Sequence, residues 1–268
     1  MEFIKPLVLG IIEGITEFLP ISSTGHLLIA NKILDFKDDS EVFTVVIQLG
    51  AILAALWYFR HEIKHLLQGA IHGNKEDKNF IGKVFIGLLP AGCIGFLVEA
   101  TVGLPNSLLL VGTALVVGGI ILWATEKWID SSPLDKESEI NYNSITYKKA
   151  LIVGVSQSLA IIPGVSRSGA TIVSALLCRI NRPTATAFSF YLSVPLITAA
   201  SALKIVKDFS AIRSISGGLP ALTIGTLVAF ISAFIAVTWL LKYVQKHDYK
   251  PFAYYRILLG IILLLLVK

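Results

Sequence analysis

Long apolar blocks alternate with short polar ones along this chain, and two of the apolar blocks are broken in the middle. Six stretches, roughly 42–59, 84–104, 107–126, 186–206, 219–241 and 252–267, are continuous enough to cross a ~30 Å hydrocarbon layer as helices rising ~1.5 Å per residue. Two others, 2–34 and 147–180, are halved by polar, glycine and proline residues, so each reads as two half-length helices meeting at a loop. Irregular backbone at membrane depth survives only where it is buried in protein or lines a wet cavity. The two broken stretches are therefore the candidates for a site.

Composition agrees with the blocks. Of 268 residues, 54% are hydrophobic and only 15% charged, against about 25% charged in a soluble domain. That excludes a soluble globular enzyme, a disordered chain and a disulfide scaffold. A β-barrel would show ~10-residue alternating segments. The expected fold is an all-α integral membrane protein, a single membrane domain over 1–268 with six transmembrane helices and two re-entrant helical hairpins. Cys93 and Cys178 lie far apart in apolar helical stretches and read as small buried residues. The net charge of +5 sits in loops and reports topology and anionic lipid, with no nucleic acid implied. The first apolar run carries Glu13 and Glu17 and lacks the pattern of a cleavable signal, so the N-terminus is expected in the mature fold.

The broken stretches resemble each other. A slide of 144 positions lays Gly10 on Gly154, Glu13 on Gln157, Ser22 on Ser166 and Gly25 on Gly169. One further residue of offset lays Phe43 and Thr44 on Phe188 and Ser189. This reads as an internal duplication, repeat 1 over about 1–127 and repeat 2 over about 147–268, each a broken hairpin followed by three spans.

If both hairpins leave on the side they enter, the loops 60–83, 126–149, 179–183 and 242–256 share one side and carry 15 Lys and Arg. The opposite side carries seven (Lys5, Lys32, Lys37, Lys204, Lys207, Arg213 and Lys268), and Arg167 sits inside a hairpin. The richer side is cytoplasmic by the positive-inside rule. Three spans per repeat invert the second repeat relative to the first. The first hairpin then enters from outside, the second from the cytoplasm, and their tips meet as one composite site.

The first hairpin runs Glu13-Gly-Ile-Thr-Glu17-Phe-Leu-Pro20-Ile-Ser22-Ser23-Thr24-Gly25-His26. Glu13 and Glu17, four apart, share a helix face. At membrane depth each costs several kcal/mol unless it meets a cation or water, and a divalent metal with hard oxygen ligands would satisfy both. The bland alternative is two glutamates at a frayed helix end near the headgroups. Pro20 stops the helix, and Ser22, Ser23 and Thr24 present hydroxyls and amides at the start of the next half-helix, a natural anion site. Ordinary capping explains one such hydroxyl. It does not explain three followed by Gly25 and His26, the latter in reach as general base or nucleophile.

The second hairpin runs Pro163-Gly164-Val165-Ser166-Arg167-Ser168-Gly169-Ala170-Thr171. Gly164 lets backbone approach a ligand, Ser166 and Ser168 add hydroxyls, and the permanently charged fork of Arg167 suits a phosphate. A structural pairing of Arg167 with Glu13 or Glu17 competes with that role. Together the tips suit a metal-assisted phosphoryl group better than a neutral solute.

These two segments resemble the two signatures of the bacterial undecaprenyl-diphosphatase family, often called the bacitracin-resistance protein, and Phe43–Ala51 is similar to a further family stretch. The resemblance covers essentially the whole chain. It implies an enzyme that removes the terminal phosphate of the polyprenyl diphosphate lipid undecaprenyl diphosphate, recycling the carrier for cell-wall synthesis. It also implies Ser23 as nucleophile with His26 as base or in a more direct role, and Glu13 and Glu17 as the acidic pair, Glu17 being the stronger candidate for metal binding or catalysis. Ser166, Arg167 and Thr171 become phosphate contacts, Ser22, Thr24, Gly164 and Ser168 further substrate-site residues. A Mg²⁺ or Ca²⁺ requirement follows, and a place in the bacterial inner membrane with the site toward the periplasmic or outer face. A homodimer is compatible with the resemblance. The alternative from another class is a polyprenyl-phosphate flippase or transporter, because inverted repeats with broken helices also mark carriers.

Overall fold

A computed structural model describes residues 3–36, 38, 41–101, 107–132, 134, 139–208, 215 and 217–266. Among them all regular structure is helical: α1 (Ile4–Thr16), α2 (Ser23–Leu34), α3 (Val42–Ile71), α4 (Lys75–Thr101), α5 (Leu108–Ser131), α6 (Tyr147–Gln157), α7 (Arg167–Leu177), α8 (Arg182–Lys207), α9 (Gly218–Tyr243) and α10 (Lys250–Leu266), with 3-10 turns at Tyr142–Ser144 and Ser158–Ile161. Two half-length helices followed by three longer ones thus occur twice in chain order.

The breaks lie where local chemistry puts them. Pro20 offers no amide to continue α1. The chain then turns through Ser22 at φ 72°, and the Ser22 hydroxyl accepts from Gly25 N at 3.4 Å to cap α2. In the second hairpin Gly164 takes φ +92°, and the Ser166 hydroxyl caps α7 by accepting from Gly169 N at 3.0 Å. Asp38 starts α3, its two carboxylate oxygens accepting from Phe43 N and Thr44 N at 2.9 Å each.

Helices α3, α5, α8 and α9, of 30, 24, 26 and 26 residues, are long and apolar enough to cross a membrane. Only a third to a half of their most apolar windows is buried within the protein. Outward they leave Leu53, Trp57, Ile120, Leu227, Ile231 and Ile235 exposed. So continuous an apolar surface belongs in lipid, and the protein is membrane-embedded. The expected spans 84–104 and 252–267 fall on α4 and α10. Residues 102–104 and 267 lie outside the described residues, as do Lys37, Lys136, Arg213 and Lys268 of the charge count. The 17 described residues of α10 reach about 25 Å, at the lower end of transmembrane-helix length.

Glycines set the helix crossings. A Cβ on Gly10 of α1 would lie 2.5 Å from the Gly225 carbonyl oxygen of α9, and Gly154 of α6 meets Gly87 of α4 in the same backbone-to-backbone way. Between α5 and α10, a Cβ on Gly260 would lie 2.7 Å from the Gly112 carbonyl oxygen. A Cβ on Gly92 or Gly95, in contrast, would meet nothing within 4 Å among the described residues.

A polar latch joins the end of α5 to the starts of α8 and α10. Glu126, fully buried, accepts from Arg182 Nε at 3.1 Å, from Arg182 Nη2, and from Tyr249 N at 3.0 Å. Beside it Lys250 joins Asp130 at 2.8 Å and Asp248 at 2.9 Å.

Candidate active site

The turns of the two hairpins meet. Ser168 Oγ, at the start of α7, donates to the Leu19 carbonyl at 2.8 Å, and Arg167 Nη2 donates to Glu17 Oε1 at 2.7 Å. A buried Ser23 Oγ donates to the other oxygen, Glu17 Oε2, at 2.5 Å. Hydroxyl, carboxylate and guanidinium therefore stand in a row across the hairpin junction. Of the two structural partners the sequence leaves open for Arg167, the fold selects Glu17. Arg167 Nη1 remains buried without a hydrogen-bond partner among the described residues, an unused donor on the same fork.

Around that row the hydroxyls are arranged by the first turns of α2 and α7. Ser166 Oγ and Ser168 Oγ share a hydrogen bond at 3.0 Å. Thr171 Oγ1 donates back to the α7 backbone and shares a 2.7 Å hydrogen bond with Ser189 Oγ on α8. Thr24 is exposed, whereas Ser22 and Ser23 are buried. Gly164 packs against α5, where a Cβ would come within 2.8 Å of the Val111 backbone. Its role there is helix-to-turn contact as well as turn geometry, since φ +92° strains any other residue.

His26 is held apart from Ser23. Its Nδ1 lies 2.7 Å from the Ser22 carbonyl, which only a protonated Nδ1 can satisfy, so in the neutral ring Nε2 carries the lone pair. Nε2 faces the hydroxyl of Tyr255 on α10 at 2.6 Å. The base in contact with Ser23 is Glu17. Hydrogen-bond reach between a nucleophile and a carboxylate base is the arrangement that activates a serine.

Glu13 is the other half of the acidic pair. It is fully buried, with Glu17 and Arg167 as its charged neighbours and its carboxyl against that of Glu17, and among the described residues no N–H or hydroxyl donates to either of its oxygens. A buried carboxylate without donors is costly unless a cation compensates it. The Glu13 carboxylate, which receives no donor and stands one turn from Glu17, offers hard oxygen ligands for a divalent cation, whereas both Glu17 oxygens already accept hydrogen bonds. Among the described residues no group of three or more His, Cys, Asp or Glu could hold a metal. Further ligands would come from water, hydroxyls or substrate oxygens, the usual habit of Mg²⁺.

Sequence reasoning found the span of α10 but missed its part in the site. Tyr255 touches His26, and Arg256, 2% exposed, donates from Nη1 to the Pro20 carbonyl at 3.2 Å and from Nη2 to the Ala114 carbonyl at 3.4 Å. The charge count assigned Arg256 to a loop. Removing it leaves fourteen basic residues against seven, so the sign of the asymmetry stands. The available signal was a lone arginine in the apolar run from Phe252 to Leu266, since an ionisable residue inside a span is a functional candidate by default.

Comparison with known proteins places the chain in a family. Residues 6–262 match the family model described as bacitracin resistance protein BacA. An undecaprenyl-diphosphatase of Methylobacillus flagellatus is 46% identical over 265 residues, covering 97% of this chain and 96% of its own. One from Acinetobacter baumannii (strain ATCC 17978) is 41% identical over 266 residues, 98% and 95% of the two chains. Undecaprenyl-diphosphatase 1 of Burkholderia cenocepacia is 43% identical over 264 residues, 97% and 94%.

Proposed function

Because the chain belongs to the bacitracin resistance protein BacA family, we propose that it is a membrane phosphatase hydrolysing undecaprenyl diphosphate to undecaprenyl phosphate and inorganic phosphate. The observation that carries the reading is the buried row Ser23–Glu17–Arg167 across the hairpin junction. A carrier has no use for a hydroxyl hydrogen-bonded to a carboxylate beside a phosphate-binding guanidinium. Ser23 Oγ attacks the terminal phosphorus as its proton passes to Glu17. The bond from that phosphorus to the bridging oxygen breaks, undecaprenyl phosphate leaves, and water hydrolyses the phosphoserine to regenerate the hydroxyl. Arg167 Nη1 and the first-turn amides of α2 and α7 receive the charge that develops on the phosphoryl oxygens. Ser166, Ser168 and Thr171 hold the first turn of α7 in place, while Ser22, Thr24 and Gly164 shape the two turns. His26, tied to Ser22 and Tyr255, fixes the start of α2. Glu13 and Glu17 would hold Mg²⁺ or Ca²⁺, which neutralises phosphate charge when bound.

The same reading places the protein in the bacterial inner membrane as two inverted repeats. In it α1–α2 and α6–α7 are re-entrant hairpins and α3, α4, α5, α8, α9 and α10 cross the bilayer. The matched crossings Gly10–Gly225 and Gly154–Gly87 support the repeat, as does the reciprocal Gly112–Gly260 contact between the last helices of the two halves. The basic-residue asymmetry supports entry of the first hairpin from the periplasmic or outer face. The partners are the polyprenyl diphosphate and the surrounding lipid, with a homodimer as a further arrangement.

Phosphate release by the purified protein in detergent, from a long-chain polyprenyl diphosphate with Mg²⁺, Ca²⁺ or chelator, tests the reading beside Arg167→Ala. Metal-dependent release that the variant lacks is expected. Absence of release by folded wild-type protein under every metal would overturn it in favour of lipid transport.

A further inference from the structure

Three arginines inside the protein differ in how their charge is met. Arg167 pairs with Glu17 at 2.7 Å, and Arg182 pairs with Glu126. Arg256 has no ion pair among the described residues, although it is the most buried of the three at 2% exposed. Its Nε has no hydrogen-bond partner among the described residues, and the contacts to Pro20 and Ala114, at 3.2 and 3.4 Å, are long for a charged donor. An unneutralised guanidinium in a lipid-embedded interior costs several kcal/mol and persists only where something uses the charge.

Its place says what that use is. Pro20 closes the turn of the first hairpin, and a Cβ added at Gly169, in the first turn of α7, would lie 2.7 Å from Arg256 Nη1. The guanidinium is thus wedged between the tips of both hairpins, immediately behind the Ser23–Glu17–Arg167 row. Resting on the phosphatase reading above, we infer that Arg256 is a positioning residue for the diphosphate group. Through the Pro20 carbonyl and the first turn of α7 it holds the two tips in register. Its charge, which no carboxylate cancels, favours an anion at their junction over a neutral ligand. Substrate phosphate supplies the counter-charge that the fold withholds.

Arg256→Gln keeps much of the volume and removes the charge, Arg256→Lys keeps the charge without the fork, and Gly118→Ala leaves the arginine but puts a methyl against its Nη2. The expected result is a KM for polyprenyl diphosphate about tenfold or more higher in Arg256→Gln, with a smaller change in kcat and a large recovery in Arg256→Lys. Gly118→Ala should raise KM in the same direction. A folded Arg256→Gln protein with wild-type KM would overturn the inference, and so would an Arg256→Lys variant no better than Arg256→Gln, which would make the residue a structural strut. Should Arg256→Gln fail to fold, wild-type KM in Gly118→Ala overturns it. If the wild type releases no phosphate, the phosphatase reading fails on its own. Binding of polyprenyl monophosphate then decides the arginine, weaker in Arg256→Gln supporting it and equal to wild type sinking it.

Discussion

Ser23 Oγ donates to Glu17 Oε2 at 2.5 Å, so the candidate nucleophile and its proton acceptor lie on opposite sides of the Pro20 break, in the two halves of one hairpin. The carboxylate is fixed from the far side by Arg167, whose pairing at 2.7 Å orients the other oxygen. Because the two contacts use different oxygens, Glu17 can accept the serine proton without releasing the arginine. Ser23→Ala and Glu17→Gln should each lower phosphate release by about a hundredfold or more. The double variant should be little worse than either single one, because residues that act as a unit are not additive. Multiplicative losses in the double variant would separate the two roles.

Glu13, buried against Glu17 with no N–H or hydroxyl donor among the described residues, should set metal affinity. Chelator is expected to stop phosphate release, and Glu13→Gln to shift the Mg²⁺ or Ca²⁺ titration to higher concentration. Unchanged metal dependence in Glu13→Gln would move the metal away from this carboxylate.

Tyr255→Phe removes the hydroxyl that faces His26 Nε2. A single hydrogen bond contributes about 1 kcal/mol net, so kcat should stay within about tenfold of wild type. A loss as deep as that of Ser23→Ala would put the proton route through His26 and Tyr255 instead of Glu17.

Gly10→Ala forces a methyl to within 2.5 Å of the Gly225 carbonyl, a backbone atom that cannot swing aside. Overpacking of this kind should destabilise the protein by about 1–3 kcal/mol, read as a lower unfolding temperature in detergent. Gly92→Ala, with open space around the site, should leave that temperature unchanged.

Glu126→Ala leaves Arg182 without its carboxylate and the Tyr249 amide without its acceptor. Breaking a buried pair by removing one partner costs about 3–5 kcal/mol. The latch lies on the Tyr249 side of α10, away from the hairpin tips, so the expected effect is on thermal stability. KM of the protein that still folds should match wild type.

Much of the protein is decided within short windows of the chain. Uninterrupted apolar runs produce α3, α5, α8 and α9. Pro20 and Gly164 produce the two turns, and the hydroxyls of Ser22 and Ser166 produce the caps that start α2 and α7. Glu17, Ser23 and Arg167 stand out because hydroxyls and charges beside a break in an apolar run are costly without a purpose. All of these follow from neighbours within a few turns, where side-chain chemistry and backbone propensity act directly.

Only the tertiary structure decided who meets whom. Arg167 lies 150 positions from Glu17, and Arg256 lies 236 from Pro20. Which oxygen, carbonyl or ring each reaches depends on the rotation and depth of helices fixed by crossings such as Gly10 on Gly225 and Gly260 on Gly112. The histidine shows the limit most plainly. Three residues from Ser23 in sequence, His26 is turned by the α2 helix and the Ser22 carbonyl toward Tyr255, and Glu17 takes the place beside the serine. Sequence sets the inventory of groups a segment can offer. Close packing, which admits one rotation per helix pair, sets which of them touch.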